Sequence, residues 1–241
     1  MSEDGFLLMT LYRQHQSIHR FMEMNHQRMQ FGPDTDVGAI VRALHIWESA
    51  FRTLSLTTLV TESTECIVNA LYGNKLTTLM VHYDSDDNDD PQHNITRVVD
   101  AAISGNTTLT NIDISSNNIP DTSITTLCGL LSNNKTLRCI NLSDNIIGDD
   151  GLKQLITTTK AISTLTELTV SSNNIGDASA SYLTLDYDCW KHIRLDLRYN
   201  DISSNGLKTL CKTLCKDGCT IDKAFEMISP QTDCKLVRYI A

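Results

Sequence analysis

The stretch SNNKTLRCINLSDNIIGDDGL, residues 132–152, combines two hydrophobic periodicities. Ile140 and Leu142 alternate with polar residues, which is typical of a short strand with one buried face. With Leu137 before them and Asn145 and Ile147 after them, the segment has the form Leu-x-x-Ile-x-Leu-x-x-Asn-x-Ile. The spacing of apolar residues that follows is helical. We therefore expect a strand, a turn at the asparagine and then a helix.

The same pattern occurs four times in one register. Its copies start at Leu109, Leu137, Leu165 and His192, so that the spacing is 28, 28 and 27 residues, and His192 replaces the opening leucine. The pattern positions that follow each start are Ile112, Ile114, Asn117 and Ile119; Ile140, Leu142, Asn145 and Ile147; Leu168, Val170, Asn173 and Ile175; and Leu195, Leu197, Asn200 and Ile202. Such a recurrence indicates a repeat architecture.

A helical segment follows each copy of the strand pattern. We expect the residues twelve positions after each start to be helix N-caps, since Asp and Ser favour that position; they are Asp121, Asp149, Asp177 and Ser204. Strands joined by helices run parallel. Because strands stack about 4.8 Å apart and helices about 8–10 Å apart, the stack must curve. The sequence predicts an α/β horseshoe with strands on the concave face and helices on the convex face.

These residues resemble the ribonuclease-inhibitor class of leucine-rich repeats, which also occurs in nucleotide-binding immune receptors, Ran GTPase activators and tropomodulins. Residues 132–152 follow the pattern of that class closely, and four clear units cover residues 109–216. The resemblance implies a solenoid that binds another macromolecule. It does not identify the partner, because one fold serves many functions.

Two degenerate repeats are expected within residues 51–108, on Phe51, Leu54 and Leu56, and on Leu76, Leu79 and Val81. A helix is expected from Asn94 to Ser104. The leucine-rich-repeat domain would then cover residues 51–219, with a C-terminal cap over 220–241. The pattern of residues 1–50 predicts an N-terminal helical cap or a small separate recognition element. Its helices are expected from Phe6 to Met29 and from Asp36 to about Ala50.

Composition narrows the function. The 241 residues carry a formal net charge of −9, which argues against binding nucleic acid or anionic membranes. No apolar run approaches the ~18 residues of a membrane span, and the first residues lack the features of a secretory signal. We therefore expect a cytoplasmic protein whose eight cysteines are reduced thiols. No motif for a cofactor or a catalytic centre is recognisable, and we expect none.

The concave face is the expected site for a partner protein. Side chains at strand positions three, five and seven point away from the core, and both ends of this face carry residue types that anchor interfaces. The expected contact residues are Met80, His82, Tyr83, Asn111, Asp113, Asn141, Glu167, Thr169, Arg194, Asp196, Arg198 and Tyr199.

Other polar residues are assigned structural roles. The recurring Asn117, Asn145, Asn173 and Asn200 are expected to satisfy buried backbone groups where each strand turns. Cys128 and Cys211 are in register, and both are expected to be small buried hydrophobes, like the neighbouring Cys215 and Cys219.

Two further groups resemble metal ligands. His15, His19, Glu23 and His26 would share one face of a helix and could hold Zn²⁺, but such polar residues are also usual on a half-buried helix. The acidic loop 84–90 resembles the start of a calcium loop, yet it lacks the glycine and the final glutamate. We expect no bound metal at either group.

A non-enzymatic protein-binding scaffold is the leading functional hypothesis. Two alternatives follow from the family resemblance: a GTPase-activating protein similar to Ran activators, and a regulator that caps actin filaments as tropomodulins do. The catalytic loop of the first and the actin-binding segments of the second are not recognisable in the sequence.

Overall fold

The computed structural model describes residues 28–31, 53–59, 67–69, 71, 75–83, 91–104 and 106–214. Seven parallel strands form one sheet in chain order. The strands are β1 (Arg28–Phe31), β2 (Thr53–Leu59), β3 (Thr78–Tyr83), β4 (Asn111–Asp113), β5 (Cys139–Asn141), β6 (Glu167–Thr169) and β7 (Arg194–Asp196). The helices are α1 (Pro91–Ile103), α2 (Asp121–Leu131), α3 (Asp149–Thr159), α4 (Asp177–Leu185), α5 (Tyr187–Trp190) and α6 (Ser204–Leu214).

The predicted leucine-rich-repeat solenoid is confirmed: strands and helices alternate, and each strand pairs in register with the next. Ile112 pairs with Ile140, which pairs with Leu168, and each is buried. The two degenerate repeats are also strands, with Leu54 and Leu79 completely buried. Because every repeat buries its apolar residues against its neighbours, the stack shares one continuous core.

The sheet begins earlier than the sequence predicted. Arg28 and Met29 were expected at the end of a helix, but they belong to β1, which pairs with Thr53–Leu56 of β2. Pairing between segments distant in sequence overrides the local helical pattern here. The rest of the predicted N-terminal helices lies outside the described residues, as does the predicted C-terminal cap. Helix α1 starts at Pro91, three residues before the expected Asn94, at the position where proline is best tolerated.

The fourth clear repeat departs from its pattern. His192 does not occupy the place of the opening leucine, since its side chain is exposed. Trp190 and Ile193 are buried instead, and the indole Nε1 of Trp190 donates to the carbonyl of Leu183 at 2.9 Å. The additional short helix α5 ends at this tryptophan.

The expected N-caps are wrong by one residue, because Asp121, Asp149, Asp177 and Ser204 are the first residues of their helices. Helices α2, α3 and α4 start at Asp121, Asp149 and Asp177, and the cap positions before them are Pro120, Gly148 and Gly176. The carboxylate of Asp121 accepts from the Gly148 N–H of the following repeat at 2.7 Å. Asp149 does the same for Gly176 at 2.9 Å. These aspartates therefore bond adjacent repeats to one another.

The four recurring asparagines, here called the Asn ladder, connect the turns that follow successive strands. Asn145 is 6% exposed, and its Oδ1 accepts from the N–H groups of Asn117 at 3.0 Å and Ile119 at 2.9 Å. Its Nδ2 donates to the carbonyls of Ile114 and Leu142. Asn117, Asn173 and Asn200 likewise donate to backbone carbonyls of the preceding repeat.

We predict that Asn145→Ala lowers the free energy of unfolding by about 3 kcal/mol, because two buried N–H groups lose their acceptor. Urea unfolding followed by circular dichroism measures the change. Asn174→Ala is the matched control, since Asn174 is exposed in the equivalent turn of the next repeat, and it should change stability by less than about 0.5 kcal/mol. Equal stability of the two variants would contradict a structural role for the Asn ladder.

Candidate functional site

The outward side chains of the strands form the candidate site. In β4, β5 and β6 the central residue is buried and its two neighbours are half-buried. In β7 the first residue, Arg194, is fully exposed. Every second side chain of these strands is therefore buried in the core, and the side chains between them face away from the helices. All predicted contact residues except Tyr83 have described side chains, and these lie on this face or at its rim.

The middle of the face is a shallow depression of about 310 Å³ across β3 to β6. Its outward lining residues are Thr78, Met80, Asn111, Asp113, Cys139, Asn141, Glu167 and Thr169. Asp113 and Asn141 occupy the same position in successive repeats. The Oδ1 of Asp113 accepts from the N–H of Ser115 at 3.0 Å, and Asn141 does so from Ser143 at 3.1 Å. These bonds fix the side-chain orientation.

Cys139 lies in the depression beside Glu167, with 4.0 Å between Sγ and Oε2. Burial raises the pKa of the Cys139 thiol, and the Glu167 carboxylate raises it further. A raised pKa keeps the sulfur protonated, and the protonated thiol is a poor nucleophile. This cysteine is therefore suited to contact with a partner and not to covalent catalysis.

The last row of the face holds two arginines in different environments. Arg198 forms two bonds from its guanidinium to the Asp196 carboxylate, from Nε at 2.9 Å and from Nη2 at 2.5 Å. Burial opposes ionisation of Asp196, but the hydrogen bonds from Arg198 outweigh it and hold its pKa below the ordinary value. The Arg194 side chain is 80% exposed and reaches Glu167 of β6 at 3.4 Å. Arg198 is thus held rigidly, whereas Arg194 remains open to a partner.

Tyr199 has an unusual backbone for an aromatic residue. Its φ is 57°, and its side chain is 61% exposed. Ser116, Asp144 and Ser172 have the same left-handed conformation at the equivalent position of the other clear repeats. Serine and aspartate are small, and aspartate tolerates this region, but tyrosine pays a steric cost without burying its ring. This strain was not predictable from the sequence, because the position before the ladder asparagine has no fixed residue type.

At the opposite end of the face, Met80 and His82 are half-buried. The Nδ1 of His82 lies 2.9 Å from the carbonyl oxygen of Ser115, and this contact crosses from β3 to the turn after β4. The Tyr83 side chain lies outside the described residues. Met80 and His82 extend the face toward β2.

Two buried asparagines were missed by the sequence analysis. Asn106 and Asn134 lie just before β4 and β5, one repeat apart, and both are 6% exposed. The Oδ1 of Asn134 accepts from the N–H groups of Thr136 and Leu137, both at 2.8 Å, and Asn106 binds the equivalent pair. Their recurrence before Thr-Leu was the available signal.

The cysteines in register, Cys128 and Cys211, are both buried free thiols, and burial raises the pKa of Cys128. Cys215 and Cys219, the histidine-rich group at residues 15–26 and the acidic loop 84–90 lie outside the described residues. Within the described part of the chain, no cluster of three metal-ligating side chains occurs. None of the helices described there is long and apolar enough to cross a membrane.

Comparison with known proteins agrees with the repeat boundaries. The family model described as Leucine Rich repeat matches residues 105–128, 133–155, 161–183 and 191–211, which are four consecutive units. No curated protein matches the sequence significantly.

The chain is also similar to several solved structures. One is the actin-binding site 2 of leiomodin-1, at 18% identity over 65% of this chain and 90% of that chain, with a TM-score of 0.43. Another is the C-terminal domain of tropomodulin from Caenorhabditis elegans, at 14% identity over 73% and 98%, with a TM-score of 0.48. A protein of Bacteroides fragilis is 14% identical over 86% and 66%, with a TM-score of 0.51. This last likeness is one of fold alone.

The Arg198–Asp196 pair predicts a pH-dependent contribution to stability. A carboxyl group whose pKa is lowered by folding stabilises the protein above its unfolded pKa, and this contribution is lost as the pH falls through the folded pKa. We predict that Asp196→Asn lowers the free energy of unfolding by about 1 kcal/mol at pH 7. The difference from wild type should shrink as the pH falls below the ordinary carboxyl value of 3.8. Urea unfolding at several pH values between neutral and strongly acidic measures it.

The control is Asp201→Asn, because Asp201 is exposed and its side chain makes no recorded hydrogen bond within the described residues. This variant should differ little from wild type at any of these pH values. A stability loss for Asp196→Asn that stays constant with pH would contradict the assignment.

Proposed function

We propose that this leucine-rich-repeat protein, whose four matched repeats lie within residues 105–211, binds a partner protein on its concave sheet face. The observation that carries the proposal is the row of outward side chains on β3 to β7, which the helices leave uncovered. A solenoid of this kind buries one face of its sheet in its core and presents the other as an extended surface.

The dimensions of the face suit a protein. Seven strands at about 4.8 Å spacing span roughly 29 Å, which exceeds the ~10–12 Å diameter of a helix with its side chains. The depression in the middle is shallow and open, unlike the enclosed pockets that take small molecules. A helix or the edge of a folded domain would fit across several strands.

The distribution of residues supports anchoring at the last row. The middle rows hold small polar side chains such as Asn141 and Thr169, which allow a close approach. Arginine and tyrosine are enriched among residues that dominate binding energy, and the last row carries Arg194 at the start of β7 and Arg198 and Tyr199 just after its end. The bidentate bonds to Asp196 orient Arg198 before any partner arrives, which reduces the entropy lost on binding.

Binding fits the described residues better than catalysis does. The two candidate nucleophilic or basic groups on the face are Cys139, whose pKa is raised, and His82, whose Nδ1 is occupied by the Ser115 carbonyl. His82 contacts the backbone oxygen of Ser115 at 2.9 Å, whereas Cys139 contacts Glu167 at 4.0 Å. Neither group has the activated partner that nucleophilic catalysis needs.

The test is partner capture with matched variants. Thr169→Arg places a long side chain in the depression, whereas Thr126→Arg makes the same exchange at an exposed position of the convex helix α2. We expect wild type and Thr126→Arg to retain a common partner from a lysate of the source cells. Thr169→Arg should retain at least about tenfold less, the effect of removing one hot-spot contact.

Purified actin and a panel of small GTPases serve as defined candidates in the same comparison, read by filament elongation and by GTP hydrolysis. Thermal unfolding shows whether both variants remain folded. If Thr169→Arg captures its partners as well as Thr126→Arg does, the concave face is not the binding surface.

Tyr199 gives a second prediction, in which stability and binding change in opposite directions. Tyr199→Asn should raise the free energy of unfolding by about 1 kcal/mol, because asparagine tolerates a φ of 57° better than tyrosine does. The same variant should weaken partner binding at least about tenfold through loss of the exposed ring. Urea unfolding and a titration with the captured partner measure the two effects.

Ser172→Asn is the matched control, since Ser172 has the equivalent backbone conformation one repeat earlier, with a φ of 53°. It should leave binding unchanged. Loss of stability in Tyr199→Asn, or unchanged binding, would show that the ring serves the fold instead of the partner.

A further inference from the structure

Charged side chains are segregated along the direction of the strands. Because all strands are parallel, their first residues and the loops before them form one edge of the sheet, here called the amino edge. Exposed cations are frequent there; they are Lys75, Lys135, Arg138, Lys160, Lys191 and Arg194. The carboxylates of this edge in the described residues are Glu167, Asp186 and Asp188, and these are paired with Arg194, Lys160 and Lys191, respectively.

The opposite edge has the reverse charge. It consists of the turns after the strands and the first turn of each following helix, here called the carboxyl edge. The acidic residues there are Asp121, Asp144, Asp149, Asp150, Asp177 and Asp201. Arg198 is the cation among the described residues of this edge, and Asp196 neutralises it. The described repeats are therefore positive along one edge and negative along the other.

Helix dipoles account for part of this distribution. Aspartates at helix N-termini and lysines at C-termini are favoured by the partial charges of the helix ends, which explains Asp149 and Lys160. The same effect does not reach Lys135, Arg138 and Arg194, because they lie in a loop or in a strand beyond the last helical turn. Lys135, Arg138 and Arg194 are therefore cations of the amino edge that helix dipoles do not explain.

The positive charges of these three residues are only partly neutralised by neighbouring groups. The Lys135 Nζ donates to the carbonyl of Ala161 at 3.0 Å, and Arg138 is exposed. Within the described residues, neither is paired with a carboxylate. Arg194 is 80% exposed and shares Glu167 at 3.4 Å, a surface ion pair of small net strength. Two strand spacings, about 10 Å, separate β5 from β7, so these cations form a row along the edge.

We propose that Lys135, Arg138 and Arg194 bind an acidic polypeptide segment of the partner, which fixes the direction in which the partner lies across the sheet. This inference rests on the proposed function. The acidic carboxyl edge repels the same segment, so one of the two orientations is favoured by attraction at one edge and relief of repulsion at the other. The segment is a polypeptide because the proposed partner is a protein.

A labelled decaglutamate peptide is the probe, with fluorescence anisotropy measured on the full chain at about 50 mM salt, where screening is weak. The test variant is the double exchange Lys135→Glu with Arg138→Glu. Its matched control is Lys208→Glu with Lys212→Glu, which makes the same change of charge on two exposed lysines of the convex helix α6. The milder pair Lys135→Gln with Arg138→Gln replaces the test variant if thermal unfolding shows that it is not folded.

We expect wild type and control to bind decaglutamate with similar affinity. In the test variant the Kd should rise at least about tenfold, since two attractive contacts become repulsive. Absent binding to wild type, or an equal loss in the control, would overturn the inference. Tighter binding of a deoxythymidine oligonucleotide than of decaglutamate would overturn it in favour of nucleic acid.

Partner capture with these variants distinguishes failure of this inference from failure of the proposed function. If the Lys135 and Arg138 variant retains the partner while Thr169→Arg loses it, the concave face binds the partner but the amino edge does not select it. If Thr169→Arg also retains the partner, the proposed function fails whatever the peptide measurement shows.

Discussion

The structure depends on one constraint, which is that backbone groups buried at the end of each strand must find hydrogen-bond partners. In each clear repeat the chain leaves the sheet after about three paired residues and turns toward the helix. Some N–H groups of the turn bond to the backbone of the next repeat, and others need a side-chain acceptor. A single amide resolves this, because Asn145 both accepts from the previous repeat and donates to carbonyls of its own and the previous turn. No other side chain of similar size offers acceptor and donors together. This amide recurs in each of the four clear repeats.

A second set of bonds between repeats limits the residues that the helices can carry. The carboxylate of Asp121 reaches the start of α3, where a Cβ on Gly151 would stand 2.3 Å from its Oδ1 and 2.7 Å from the Ile147 side chain. The equivalent position of the next repeat is Ser179, which is completely buried and donates to Asp149. A small residue is thus required wherever an aspartate crosses between repeats. The sequence contains this regularity, but its cause is visible only once the two helices lie side by side.

The repeat period was sufficient to predict the elements from β4 to β7 and their register, since each position depends on neighbours one period away. Sequence reasoning failed where the determining contact lies elsewhere. Arg28 and Met29 follow a helical pattern locally, yet pairing with β2 makes them a strand. His192 aligns with the leucines in sequence, but it is exposed, and Trp190 and Ile193 are buried instead. The aspartates were recognised as residues of helix starts, whereas their bonding partners in the next repeat were not.

The candidate site was predictable to the extent that the core determines it. Alternation in the strands defined the outward positions, but it could not show which of them are already engaged. Asp113 and Asn141 each accept a hydrogen bond from their own turn with one side-chain oxygen, and Arg198 is held by Asp196. In the last row, the guanidinium of Arg194 and the ring of Tyr199 are therefore the side chains that remain most exposed. The latter is held in a conformation that tyrosine resists. Strain of this kind persists only where the surrounding structure maintains it. Tyr199 directly precedes Asn200, whose side chain donates to the carbonyls of Val170 and Leu197. The exposed ring thus lies in a turn that the Asn ladder bonds to the rest of the fold.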